Sequence, residues 1–267
     1  MVNDTLMPSI GPSDSAALSA FAERLADAAA EITLRHFRAD MTVDNKEKTG
    51  FDPVTIADRG AEDAIRALIE ATYPDHGIEG EERPPKPAEG PFTWILDPID
   101  GTRSFICGVP TWGTLIALLY EGRPVIGVID QPYLKERYVG SPLGTTLNGN
   151  AIRTRACTGL SDAVMSTVDP DLFQDGERAV FDTLKTRSKL IRYSLDCYAY
   201  AILSAGHFDL ILETGMKPYD IMALVPVIRG AGGMVTDWSG NEPGPDGRLV
   251  ALGDPGMAAE VLPLLTV

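Results

Sequence analysis

Apolar positions along this chain recur about every four residues in some segments and gather into short runs in others. Phe21, Leu25, Ala28 and Ile32 fall on one face of a helix that Ser13 or Ser15 can cap, which predicts a helix from there to about Arg38. Ala61, Ile65, Leu68 and Ile69 make a second apolar face and predict a helix from about Ala57 to Thr72, with Pro74 just past its end. Residues 40–53, between them, are charged and contain glycine, the composition of a hairpin or loop. The polar, proline-rich segment 76–90 reads as a loop. Strand patterns follow at Thr93–Leu96, Gly113–Tyr120, Val125–Asp130 and about Glu136–Gly140. Their close spacing, with turns such as Glu121-Gly122, predicts an antiparallel sheet. After about residue 145, helical patterns near 172–187 and 196–206 alternate with strands at 163–168, 189–193 and 209–213. A helix at 220–231 and a strand at 234–238 complete the series.

The fold class expected is therefore α/β: an α+β half with an antiparallel sheet over residues 1–145, and an α/β half over 146–267 that completes a site between them. Residues 1 to about 12 read as a loose polar leader. That leader has neither the basic region nor the apolar run of a secretory signal, and no stretch approaches a membrane span, so a cytoplasmic protein is expected. Cys107, Cys157 and Cys197 have the spacing of neither a metal knuckle nor a disulfide framework, consistent with reduced thiols. A net charge of −15 disfavours nucleic acid and anionic membrane as partners. It also disfavours an anionic substrate, unless bound cations invert the local field.

That exception has a candidate in the run Trp94-Ile95-Leu96-Asp97-Pro98-Ile99-Asp100-Gly101-Thr102. An apolar strand ends in two aspartates three residues apart, and glycine and threonine follow at once. Carboxylate oxygens suit Mg²⁺, which takes few protein ligands and completes its shell with substrate phosphate. A glycine at a strand-to-helix turn lets backbone N–H groups approach an anion. A polar turn after a buried strand would use the same residues. Other acidic segments can join this one: Gly80-Glu81-Glu82 before the strand, Asp58 after Thr55, and Asp220 at the start of a later helix. Alone, Glu81 and Glu82 would be solvated charges, and Asp58 and Asp220 helix caps.

Taken together, these segments resemble the inositol monophosphatase-like, Mg²⁺-dependent phosphomonoesterases. The resemblance rests on Asp52-Pro53-Val54-Thr55 with Ala57-Asp58, Gly80-Glu81-Glu82, Trp94 through Thr102, Leu147-Asn148-Gly149, Tyr219-Asp220 and Ala231-Gly232-Gly233, in that order. It implies a layered sandwich of the inositol monophosphatase type and a homodimer. It implies two or three Mg²⁺ per site, held by Glu81, Asp97, the Ile99 carbonyl, Asp100 and Asp220. Asp58 and Thr102, with Glu81, would serve the attacking water, and the amides near Gly101 and Thr102 would hold the phosphate. Metal-activated water needs no side-chain nucleophile; His36 and His207 are read as structural.

Within that family, Arg103-Ser104-Phe105, Asp196-Cys197-Tyr198-Ala199-Tyr200 and Pro218-Tyr219-Asp220-Ile221 resemble the branch of histidinol-phosphate phosphatases. Leu195 stands where that branch has glycine. The implied substrate is L-histidinol phosphate, an intermediate of histidine biosynthesis, with Asp100, Asp196, Glu213 and Asp220 as substrate contacts. Carboxylates at Asp196 and Glu213 would form charge-assisted hydrogen bonds to its amine and imidazole. The alternatives are an inositol-1-phosphatase or a broad small-molecule phosphomonoesterase and, as a non-enzyme, a metal-binding regulatory protein. In the bland alternative, Asp196 caps the helix at 196–206 and Glu213 is a strand-end charge.

Overall fold

A computed structural model of the chain describes residues 10–39, 43–45 and 53–266. The elements in chain order are α1 (Pro12–His36), β1 (Val43–Asn45), β2 (Pro53–Thr55), α2 (Ile56–Thr72), β3 (Gly77–Gly80), β4 (Phe92–Asp100), α3 (Thr102–Ile106), β5 (Gly113–Tyr120), β6 (Arg123–Gln131), β7 (Glu136–Ser141), β8 (Gly144–Leu147) and β9 (Asn150–Ala151). There follow β10 (Val164–Thr167), α4 (Asp175–Arg187), β11 (Leu190–Tyr193), α5 (Tyr198–Ser204), β12 (Leu210–Glu213), α6 (Pro218–Ile221), α7 (Leu224–Gly230), β13 (Met234–Thr236), β14 (Leu249–Leu252) and α8 (Ala258–Val261).

Strands β3 to β9 form a seven-stranded sheet in sequence order, antiparallel except for the parallel β3–β4 pair. A five-stranded mixed sheet runs β11-β10-β12-β14-β13. Alternation along the strands of the first sheet sorts its side chains into two cores. Trp94, Leu96, Ile116, Leu118, Ile126 and Val128 face α1 and α2. Ile95, Leu115, Ala117 and Ile129 face the opposite way, toward α5, α7 and the near face of the second sheet. Met165, Leu210 and Leu212 on that sheet's far face pack under α4 and α8. The result is five layers, helix–sheet–helix–sheet–helix. Burial on both faces explains why the strands read as continuous apolar runs.

Several boundaries differ from the sequence reading. The expected leader lies outside the described residues through Ser9, and Pro12 already begins α1, where a proline suits the first turn. Within 40–53, β1 and β2 pair as antiparallel strands, and the rest, Asp52 included, lies outside the described residues. The loop at 76–90 contains β3, which pairs with β4. The helix expected at 220–231 is two: Pro226 has no N–H for the Met222 carbonyl, so α7 starts afresh after α6. His76 accepts a hydrogen bond from Trp94 Nε1 at 3.1 Å and stacks on Tyr73, a packing role. Among the described residues, no helix is long and apolar enough to cross a membrane.

Candidate active site

The two aspartates of β4 meet because the strand is irregular between them. Asp97 stands opposite Leu115 and Asp100 opposite Gly113, so β4 spends three steps where β5 spends two. On a regular strand, residues three apart face opposite sides; one extra residue turns them to the same side. Pro98 belongs at such a place because it has no N–H to offer the ladder. The Ile99 N–H donates to Asp97 Oδ1 at 3.1 Å, and the Thr102 hydroxyl donates to the Ile99 carbonyl at 3.1 Å. Gly101 links β4 to α3 in the left-handed region, φ 79° and ψ 40°. A Cβ there would also collide with Asp196, so backbone and space both require glycine.

Asp58 and Asp220 arrive on helix starts, and each is the third helical residue. The Asp58 carboxylate accepts from the Thr55 N–H at 2.8 Å and from its hydroxyl at 2.6 Å, a reciprocal cap. Asp220 accepts from the Lys217 N–H at 2.6 Å. The helix-cap reading of these residues thus holds, and it uses one oxygen of each. The other oxygen of Asp58, Oδ1, is buried without a hydrogen-bond partner. One oxygen each from Asp97, Asp100 and Asp220 lies within 4.8 Å of the others. Glu81 follows β3 and presses electrostatically on Asp58, Asp97 and Asp220.

Burial and repulsion from neighbouring charges raise the carboxyls of Asp58, Asp97, Asp100 and Asp220. Burial is the larger cause for Asp97, which lies well above the ordinary range, with Glu81, Asp100 and Asp220 adding to it. Asp100 is pushed up to about 8 by burial and then by Asp220 and Asp196. Asp220 reaches about 6, chiefly through burial. Like charges confined in this way fit a site that takes divalent cations, and the unpartnered Asp58 oxygen points to a further group there.

Beside this cluster opens a cavity of about 190 Å³ lined by Asp100, Asp196, Glu213 and Asp220 together with apolar side chains. Asp196 does not cap α5, which starts at Tyr198 with no side-chain cap. Its Oδ2 accepts instead from Ser104 at 2.5 Å and Thr111 at 2.7 Å, tying the second half of the chain to α3 and the loop that follows it. Neighbouring Cys197 donates its N–H to Asp100 at 2.6 Å. The left-handed residues here are Ser194 and Asp196, so Leu195 needs no glycine conformation and packs on the core. Glu213 is almost fully buried and accepts from the Val168 N–H at 2.7 Å and the Thr167 hydroxyl at 3.2 Å. Thr111 and Leu172 escaped the sequence reading, and Ser104 entered it only within Arg103-Ser104-Phe105, without its contact to Asp196; nothing local marks residues whose partners lie far along the chain.

Residues 14–264 match the inositol monophosphatase family. The chain belongs to that family. Its members are metal-dependent phosphatases, typically using Mg²⁺, that act on small phosphomonoesters. The chain is 47% identical to the bifunctional phosphatase IMPL2, chloroplastic, of Arabidopsis thaliana over 225 residues, which is 83% of this chain but 64% of that longer protein. It is 37% identical to a histidinol-phosphatase of Chlorobaculum parvum, covering 84% of this chain and 87% of that one. The solved inositol monophosphatase of Zymomonas mobilis superposes with a TM-score of 0.86 at 42% identity, covering 97% of this chain and all of that one.

Proposed function

We propose that this family phosphatase hydrolyses L-histidinol phosphate to L-histidinol and phosphate. The observation that carries the substrate reading is the cavity beside the aspartate cluster. Two carboxylates beyond that cluster, Asp196 and Glu213, line it together with Leu172, Tyr200 and Met216. An imidazole and an amine offer a flat apolar face and positive charge, which such walls match. The ring of an inositol gains no charge pairing there. The histidinol-phosphatase of C. parvum adds support. Inositol-1-phosphate is the second reading, favoured by the likeness to the Z. mobilis enzyme.

In the proposed mechanism, Glu81, Asp97, Asp100, Asp220 and the Ile99 carbonyl would hold Mg²⁺. When bound, Mg²⁺ supplies charge neutralisation for the phosphate and Lewis acidity for the attacking and leaving oxygens. Asp58 Oδ1, free of hydrogen bonds within the protein, orients water and takes its proton. The Thr102 hydroxyl donates to the Ile99 carbonyl, which leaves its oxygen to accept from the same water and help orient it while Asp58 takes the proton. Gly101 and Thr102 open α3, and amides at a helix start suit phosphate oxygens. Asp196 and Glu213 take the cationic end of the substrate. Parallel phosphate-release assays on histidinol phosphate and inositol-1-phosphate, with and without Mg²⁺, test the proposal. A higher kcat/KM for histidinol phosphate is expected, and a preference for inositol-1-phosphate would overturn the substrate assignment.

A further inference from the structure

The loop that carries Glu81 is gripped from α2 by a buried carboxylate outside the aspartate cluster. Glu62 lies four residues after Asp58 on the inward face that also presents Ala61, Ile65 and Ile69, and its side chain is fully buried. It accepts from Arg66 Nε at 2.7 Å with one oxygen and from the Glu82 N–H at 2.8 Å with the other. Its carboxylate stands against Gly80, where any Cβ would collide with it. Arg66 also donates to the Arg83 carbonyl at 3.3 Å, while from the opposite side the Glu81 N–H donates to the Leu96 carbonyl at 3.2 Å. Residues 80–83 are thus clamped between β4 and α2. A well-packed apolar pair in place of Glu62 and Arg66 would serve stability as well or better, because a buried ion pair returns little of its desolvation cost. An apolar pair could not accept the Glu82 N–H.

We infer that Glu62 is a positioning residue that fixes the backbone at Glu82 and thereby holds the Glu81 carboxylate on the cluster. With Asp58 and Glu62 one turn apart, α2 sets the water-orienting carboxylate and the Glu81 loop in one rigid relation. The inference rests on the proposed role of Glu81 as a metal ligand. The test measures Mg²⁺ affinity by calorimetry in wild type, Glu62→Ala, Glu62→Gln and Glu81→Gln, with the melting temperature of each metal-free protein. Partners that orient a ligand typically contribute about 10–100-fold to metal affinity, so Glu62→Ala is expected to lose Mg²⁺ affinity in that range. Glu62→Gln should lose less, because its amide oxygen still accepts from Glu82. The KM for the phosphoester at saturating Mg²⁺ should move little. A lower melting temperature with wild-type Mg²⁺ affinity in Glu62→Ala would overturn the inference. Wild-type affinity in Glu81→Gln would overturn the reading of Glu81 itself, and the role of Glu62 with it. Loss in Glu81→Gln alone would overturn only Glu62. Where Glu62→Ala does not fold, Glu62→Asp, which withdraws the acceptor by one methylene, carries the same expectation.

Discussion

Asp97 is buried among Glu81, Asp58, Asp100 and Asp220, and burial and all four neighbours push its carboxyl up. An asparagine there keeps the shape, can still accept from the Ile99 N–H, and is neutral without having to hold a proton on folding. Asp97→Asn should therefore reduce phosphate release to near background at any Mg²⁺ concentration, with a metal-free melting temperature at neutral pH equal to or above wild type. Wild-type turnover at saturating Mg²⁺ would remove Asp97 from the site. Glu213 makes a different prediction. A glutamine can set its carbonyl on the Val168 N–H and its amide against the Thr167 hydroxyl, which can turn to accept, so the local structure should survive. What is lost is the negative charge that the raised carboxyl takes on when a cationic group pairs with it. A hydrogen bond to a charged group contributes about 1.5–3 kcal/mol net, so kcat/KM for histidinol phosphate should fall about tenfold or more relative to a phosphomonoester whose organic part carries no charge. Equal losses on both substrates would make Glu213 structural. Local motifs made Asp97, Asp100, Gly101 and Thr102 legible in the sequence, since they sit within six residues of one another. Asp196 was legible as a carboxylate of interest, but its latch to Ser104 and Thr111 spans 92 and 85 residues, and no local pattern encodes that.

Elements deliver these residues, and their spacing depends on close backbone approach. Gly127 of β6 and Gly140 of β7 stand opposite each other in the sheet. A Cβ at Gly127 would strike the Ala223 carbonyl, and one at Gly140 would strike the Pro226–Val227 peptide. The Thr145 hydroxyl fastens the same helix by donating to the Val227 carbonyl at 2.7 Å. Backbone cannot swing aside as a side chain can, so Gly140→Ala must lift α7 and disturb α6, which carries Asp220. Overpacking typically costs about 1–3 kcal/mol, and denaturant unfolding should show a loss of at least that order together with weaker Mg²⁺ activation. Gly90→Ala, where a Cβ meets open space, is the control and should change neither. The long periodic elements, α1, α2 and β5, were legible because burial on a defined face writes a repeat into the sequence. β3 was hidden inside a polar loop, and the four-residue β14 follows a run of glycine, proline and charge. Its place between β12 and β13 is a matter of tertiary pairing that no window of sequence contains.

At the scale of the whole molecule, the site is a store of raised carboxyls, and stability should report it. Against an unfolded value of 3.8, Asp220 titrates at about 6 and Asp100 at about 8 in the folded chain, with burial the first cause for both. Glu213, raised from 4.5 to about 8 chiefly by burial, adds to them. A folded-state value above the unfolded one means that the native protein binds more protons than the unfolded chain between the two. The unfolding free energy then decreases as pH rises through that window. The contribution is whole below about pH 4 and spent by about pH 8. Cations take the ionised carboxylates, so Mg²⁺ must displace protons to bind, and its stabilising effect should run the opposite way. Thermal melts at intervals from roughly pH 5 to 9, in chelator and in saturating Mg²⁺, should show a Mg²⁺-dependent gain that grows with pH and levels off near 8. The gain isolates the cluster better than the melting temperature itself. Surface groups such as Asp254, whose carboxyl is lowered by the Cys157 and Gly256 N–H groups, contribute alike with and without Mg²⁺. Calorimetry at pH 7 in two buffers of different ionisation enthalpy should detect the released protons directly. A gain independent of pH, with no proton release, would mean that the carboxyls are already ionised in the metal-free protein and that repulsion within the cluster is relieved by some other means.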